Sequence, residues 1–157
     1  MEPKIGITRE HRESVIGLLG PVLANEYVLY TKTRNFHWNV KGPLFHELHK
    51  FFESQYAAIE ESIDEVAERM VTLGGIAPGS LAEMLKLTTL KEIPGGSITA
   101  QEMVEALLAD HEHIIVNLRK AAGLADDKFG DIGTGDFFIG LMQEHEKMAW
   151  MLRSMAQ

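Results

Sequence analysis

The stretch from Leu44 to Leu73 constrains the fold of this chain more than any other. It holds no glycine and no proline, and Leu48, Phe52, Ile59, Ile63, Val66 and Met70 recur along it at helical steps. At 100° per residue, with His49 set to zero, these six side chains fall between about 260° and 320°. A helix with one narrow apolar stripe must bury it against other helices. Gly74-Gly75 closes this one, because glycine accepts the backbone turn that ends a helix.

Three more helical stretches accompany it. The first runs from Thr8 to Trp38, with Val15, Leu19, Val22, Glu26, Leu29, Thr33 and Phe36 at three- and four-residue steps. Gly20-Pro21 lies inside it, so one kinked helix is expected. Asn39 to Pro43 reads as a turn. From Ile76 to Ser97 a crossover connection is expected, with a small helix over the apolar run Leu81 to Leu87. Thr99 and Glu102 form a capping box for a helix ending near Gly123, with Met103, Leu107, Ile114 and Leu118 on one face. After a polar loop, Thr134 is expected to cap a fourth long helix bearing Phe138, Leu141, Met142, His145, Met148 and Leu152. No strand alternation competes. Two helical hairpins joined by one long connection make an all-α, ferritin-like four-helix bundle, with a short helix in the crossover and residues 1–157 as one domain.

The chain has no cysteine, so a disulfide framework and a thiolate metal site are both excluded. No apolar run resembles a signal peptide or a membrane span, and a cytoplasmic location is expected. The net charge of −8 disfavours non-specific nucleic-acid binding and suits the handling of cations. The eight methionines read as core filler.

Potential ligands flank the apolar stripe of the second helix and do not lie within it. His49, Glu53, Glu60, Asp64 and Glu68 fall between about 0° and 100° on the same helical projection. Two i,i+4 pairs stand out, His49/Glu53 and Asp64/Glu68, and side chains so spaced point the same way. Imidazole with carboxylates suits iron or another divalent transition metal better than calcium. The pairs are centred 15 residues apart, roughly 22 Å along a helix, so one copy cannot bring both to one metal. Two copies crossing antiparallel about a two-fold axis near Ala58 can, and symmetry then generates two equal sites. His37, ending the first helix, is placed to add a nitrogen ligand.

A carboxylate-rich flank is in the ordinary case a solvated helix face, and Glu60, Glu61 and Glu65 read that way. His46, His111 and His113 read as surface or packing residues; the i,i+2 spacing of the last two sends their rings to opposite sides. His145, on the apolar face of the fourth helix, reads as a hydrogen-bonded core histidine. The chain contains no Glu-x-x-His, which a di-iron site inside one bundle needs, and no His-Glu-x-x-His.

The run Asn35-Phe36-His37-Trp38-Asn39-Val40-Lys41-Gly42, followed by Phe45, Leu48-His49, Asp64 and Ala67-Glu68-Arg69, resembles the Dps family, the starvation-induced miniferritins. The likeness continues through Leu73-Gly74-Gly75 and Asp131-x-x-Thr134-x-Asp136. It implies a hollow dodecamer with ferroxidase sites at its two-fold interfaces: His37, His49 and the residue at 53 from one subunit, Asp64 and Glu68 from the other. It implies oxidation of Fe(II), typically with hydrogen peroxide, storage of the ferric mineral and protection against oxidative stress. Zinc and manganese are the competing ions to consider. Trp38 resembles the family tryptophan beside the site, a sink for stray oxidising equivalents, with interface packing as the alternative. Acidic channels at three-fold axes imply Asp126, Asp127, Asp131 and Asp136 as an iron path, although acidic residues also favour helix N-termini.

Three departures from the family pattern matter. Position 53 is Glu where the family usually has Asp. Pro21 interrupts a helix usually free of proline. The segment before Thr8 holds a single lysine, Lys4, and the chain stops at Gln157 just past the last helix, so no appreciable DNA binding is expected. A DNA-compacting protein, a purely structural oligomer and an in-bundle di-metal oxygenase are the competing readings.

Overall fold

A computed structural model of the protein describes residues 2–96 and 98–156; Ser97, at the end of the expected crossover, and Gln157 lie outside the described residues. Among the described residues the regular structure is all helical: α1 (Arg9–Asn39), α2 (Phe45–Thr72), α3 (Leu81–Leu87), α4 (Ala100–Gly123) and α5 (Ile132–Met155). The long helices α1 and α2 pack as one hairpin and α4 and α5 as the other, with short α3 lying against α1. Among the described residues no helix is long and apolar enough to cross a membrane.

The apolar stripes converge on one core. Phe36, Phe52, Ile59, Leu107, Leu118, Phe138 and Leu152 are all fully buried within it. Each such side chain contributes about 1.5–3 kcal/mol relative to exposure. The α2 stripe is buried as the periodicity requires, with Ile63 packed at its edge.

Pro21 does not divide α1, which continues as a single helix on both sides of it. The preceding residue, Gly20, has no Cβ to meet the proline ring, and that contact is what disfavours helical geometry before proline. Gly74 and Gly75 end α2 in a Schellman arrangement: Gly74 N–H donates to Val71 O (2.9 Å) and Gly75 N–H to Met70 O (3.0 Å). Gly74 has φ +92°, a conformation that would strain any other residue there.

Two expectations need correction at the start of α5. Asp131 caps this helix, and Thr134 does not; the Asp131 carboxylate accepts from the Thr134 N–H at 2.9 Å. Asp131 stands at the N-cap position, whereas Thr134 already lies in the first turn of the helix. The segment expected as a polar loop instead continues α4 through one π-helical turn, Leu124–Lys128, because Ala125 packs into the core.

Candidate metal centre

His37 lies in the last turn of α1 and His49 near the start of α2, so the short turn between the helices sets them side by side. Their rings stack with centroids 3.8 Å apart and planes 19° apart. His37 Nδ1–H donates to the carbonyl oxygen of His49 at 2.7 Å, and His49 Nδ1–H donates to the carbonyl of His37 at 2.8 Å. The His37 carbonyl is among those a helix C-terminus leaves without an intrahelical partner. A carbonyl can only accept, so both Nδ1 atoms carry the proton. In the neutral rings both Nε2 atoms therefore keep a lone pair, the form in which imidazole ligates a metal.

Phe45 stacks on His49 and Tyr56 meets His37 edge-on, with centroids 5.1 and 5.3 Å apart. Glu53 lies one helical turn beyond His49 and accepts a hydrogen bond from Lys50 Nζ at 2.8 Å. That bond and the lysine charge hold the Glu53 carboxyl below the usual carboxylate range, with smaller contributions from His37 and His49. Asp64 and Glu68 are exposed further along α2. One chain thus brings His37 and His49 into contact, with Glu53 on the next turn, and leaves Asp64 and Glu68 apart from them. Among the described residues no three His, Asp or Glu side chains of one chain converge to hold a metal.

An aromatic cluster gathered around Arg34, with Trp38 as one member, borders the pair. The Arg34 guanidinium carbon lies 5.4 Å from the Tyr30 ring centroid, 5.2 Å from Trp38 and 5.2 Å from Tyr56. Arg34 also donates to the Tyr30 hydroxyl at 2.7 Å. The signal was available in the i,i+4,i+8 series Tyr30, Arg34, Trp38, which places all three on one face of α1. Trp38 is 63% exposed in the single chain.

The acidic residues near α5 separate into two groups. Asp126, Asp127 and Asp136 line one depression of about 350 Å³ with Arg119 and Ile132. Asp131 does not join them. It is 2% exposed and pairs with Arg69 Nη2 at 3.0 Å while capping α5. Its carboxylate is committed to the fold. His46 and His113 are exposed, and His113 Nε2 meets Thr89 and Asn117. His111 and His145 are buried together.

Residues 16–157 match the ferritin family model, described as a ferritin-like domain. A low temperature-induced protein of Nostoc sp. is 49% identical over 150 residues, spanning 96% of this chain and 84% of that protein. DNA protection during starvation protein 2 of Bacillus anthracis is 40% identical, over 90% of this chain and 96% of its own length. A Dps protein from Vibrio cholerae, described as a member of a broad superfamily of ferritin-like diiron-carboxylate proteins, superposes with a TM-score of 0.93. That match is 31% identical and covers 99% of this chain and 97% of the other. The chain belongs to the Dps family.

Proposed function

We propose that copies of this chain pair through α2 about a two-fold axis near Ala58, and that each pair forms two ferroxidase centres. The observation that carries the reading is the half-built donor set: two imidazoles with Nε2 open, Glu53 on the next turn, and Asp64 and Glu68 roughly 22 Å along the same flank. In an antiparallel pair, His37, His49 and Glu53 of one copy face Asp64 and Glu68 of the partner subunit. Fe(II) is the substrate, and mixed imidazole and carboxylate donors suit it over calcium or magnesium. Zinc and manganese are the ions such a set would also admit.

Two ferrous ions held together each give one electron to hydrogen peroxide, and its O–O bond breaks to leave two hydroxides. Supplying both electrons at once avoids the one-electron reduction that releases hydroxyl radical. The carboxylates stabilise the ferric product, which has gained positive charge. Trp38, beside the pair, is positioned to absorb oxidising equivalents that escape. The function is then iron storage and detoxification under oxidative stress, in a cytoplasmic shell of twelve subunits. Asp126, Asp127 and Asp136 supply an acidic path for the incoming ion. The net charge of −8 works against a DNA-binding role.

The test is anaerobic loading of the protein with Fe(II), followed by separate additions of hydrogen peroxide and oxygen. A His49→Ala/Asp64→Ala variant is run beside it, with assembly size measured for both. Fast peroxide-driven ferric absorbance that disappears in an intact variant shell is the expected result. Equal rates in the two proteins would remove the α2 residues from the reaction.

A further inference from the structure

The centre of the bundle holds a second histidine pair that the proposed iron chemistry does not use. Glu26 on α1, His145 on α5 and His111 on α4 are all 0% exposed. His145 Nε2–H donates to Glu26 Oε1 at 2.8 Å, and the Nδ1 atoms of His145 and His111 lie 2.8 Å apart. His111 Nε2 and Glu26 Oε2 have no hydrogen-bond partner among the described residues. We infer that this relay is an acid-sensitive lock in the bundle core, holding α1, α4 and α5 together at neutral pH and weakening the fold as the medium acidifies.

The inference rests on how many protons the geometry accepts. A carboxylate only accepts, so His145 Nε2 carries a proton. The Nδ1 contact needs one proton between its two atoms, neither none nor two. The relay therefore tolerates one imidazolium, balanced by the Glu26 carboxylate. A further proton on His111 sets two N–H groups head to head at 2.8 Å. It also buries a second cation against the single Glu26 carboxylate, and an unpaired buried charge is costly. Burial, with the charge of His145 as a lesser cause, accordingly pushes His111 well below the ordinary imidazole value.

Among the described residues, no neighbouring element supplies a compensating charge. On α2 the buried polar residues are Gln55 and Ser62, neither of which titrates. Lys32 on α1 is engaged by Asp110 of α4, whose carboxyl burial raises above its usual range despite that lysine. Glu112 faces Arg153 and Glu146 faces Arg119, both at the surface. His113 is exposed on the far side of α4, and Glu144 is exposed on α5.

The unfolded chain protonates His111 near pH 6.5, whereas the folded chain does so only well below that. Between those values the unfolded state binds one more proton. Stability from this residue is therefore full above about pH 6.5 and is lost as pH falls, about tenfold in the folding constant per pH unit. Urea unfolding of the assembled full chain, followed by helicity from pH 7 to pH 5 at fixed subunit concentration, reads this out against His111→Gln. Glutamine keeps a hydrogen-bonding partner for His145 without titrating. The wild-type unfolding constant should rise about tenfold more per pH unit than the variant's; parallel slopes overturn the inference. Should the variant not fold, selective 15N-histidine spectra of the wild-type shell decide. A buried neutral ring persisting at pH 5.5 supports the lock, and a His111 that titrates near 6.5 in the folded protein overturns it.

Discussion

At the α1–α2 junction, His37 and His49 each anchor Nδ1 on a backbone carbonyl; at the bundle centre, His111 and His145 point their Nδ1 atoms at each other. A carbonyl partner fixes the tautomer and leaves Nε2 open. An imidazole partner leaves one proton to be shared, and full burial makes any second charge expensive. The same residue type thus leaves an open ring nitrogen in one place and closes a buried relay in the other. The partner of Nδ1 and the access to water decide which.

The comparison breaks most visibly if the core pair is cut. Glu26→Ala leaves His145 Nε2–H unpaired in the interior and should cost about 3–5 kcal/mol in denaturant titration. His37→Ala should cost far less stability while abolishing peroxide-driven iron oxidation. A near-neutral Glu26→Ala would show that the central relay does not hold the fold.

Next in size is the division between two aspartates near α5. Asp131→Asn keeps a capping oxygen but removes the charge that pairs with Arg69, at a cost of about 1–3 kcal/mol in thermal or urea unfolding. Asp136→Asn should leave the unfolding midpoint unchanged and slow iron uptake. If Asp131→Asn slowed uptake at full stability, the division would fail.

The smallest effect concerns Glu53. Lys50→Gln removes the ammonium that holds this carboxylate, so anaerobic Fe(II) titration should show modestly tighter binding in the variant. Unchanged affinity would indicate that Glu53 does not reach the metal.

Much of this could be read from residue order, because helical periodicity converts spacing directly into direction. The 100° rotation per residue separates the α2 core stripe from the flank carrying His49, Glu53, Asp64 and Glu68. The 15-residue offset between the two pairs suffices to require a second copy for a shared site. The reciprocal Nδ1–carbonyl bonds were not legible, since they depend on how closely two helix ends approach through the turn at Gly42. The Asp131 cap is not legible because Thr134 is itself a good capping residue; Arg69 of α2 contacts both, and only the bond from Thr134 N–H to Asp131 distinguishes them. The relay left a partial trace: Glu26 occupies a core position in the α1 series, where a carboxylate needs a buried donor. That the donor is His145, backed by His111, depends on contacts across 119 and 34 residues of chain.

The central claim, that each iron site is shared between two copies, is tested most directly by mixing two inactive subunits. His49→Ala and Asp64→Ala chains, each inactive as a uniform shell, are co-assembled in equal amounts and assayed for peroxide-driven Fe(II) oxidation. A two-fold contact between unlike chains rebuilds one intact site of its two, so random mixing should restore about one quarter of wild-type activity. A mixed shell as inactive as its components would place the two residues in the same site of one chain, or outside the site altogether, and would contradict the account.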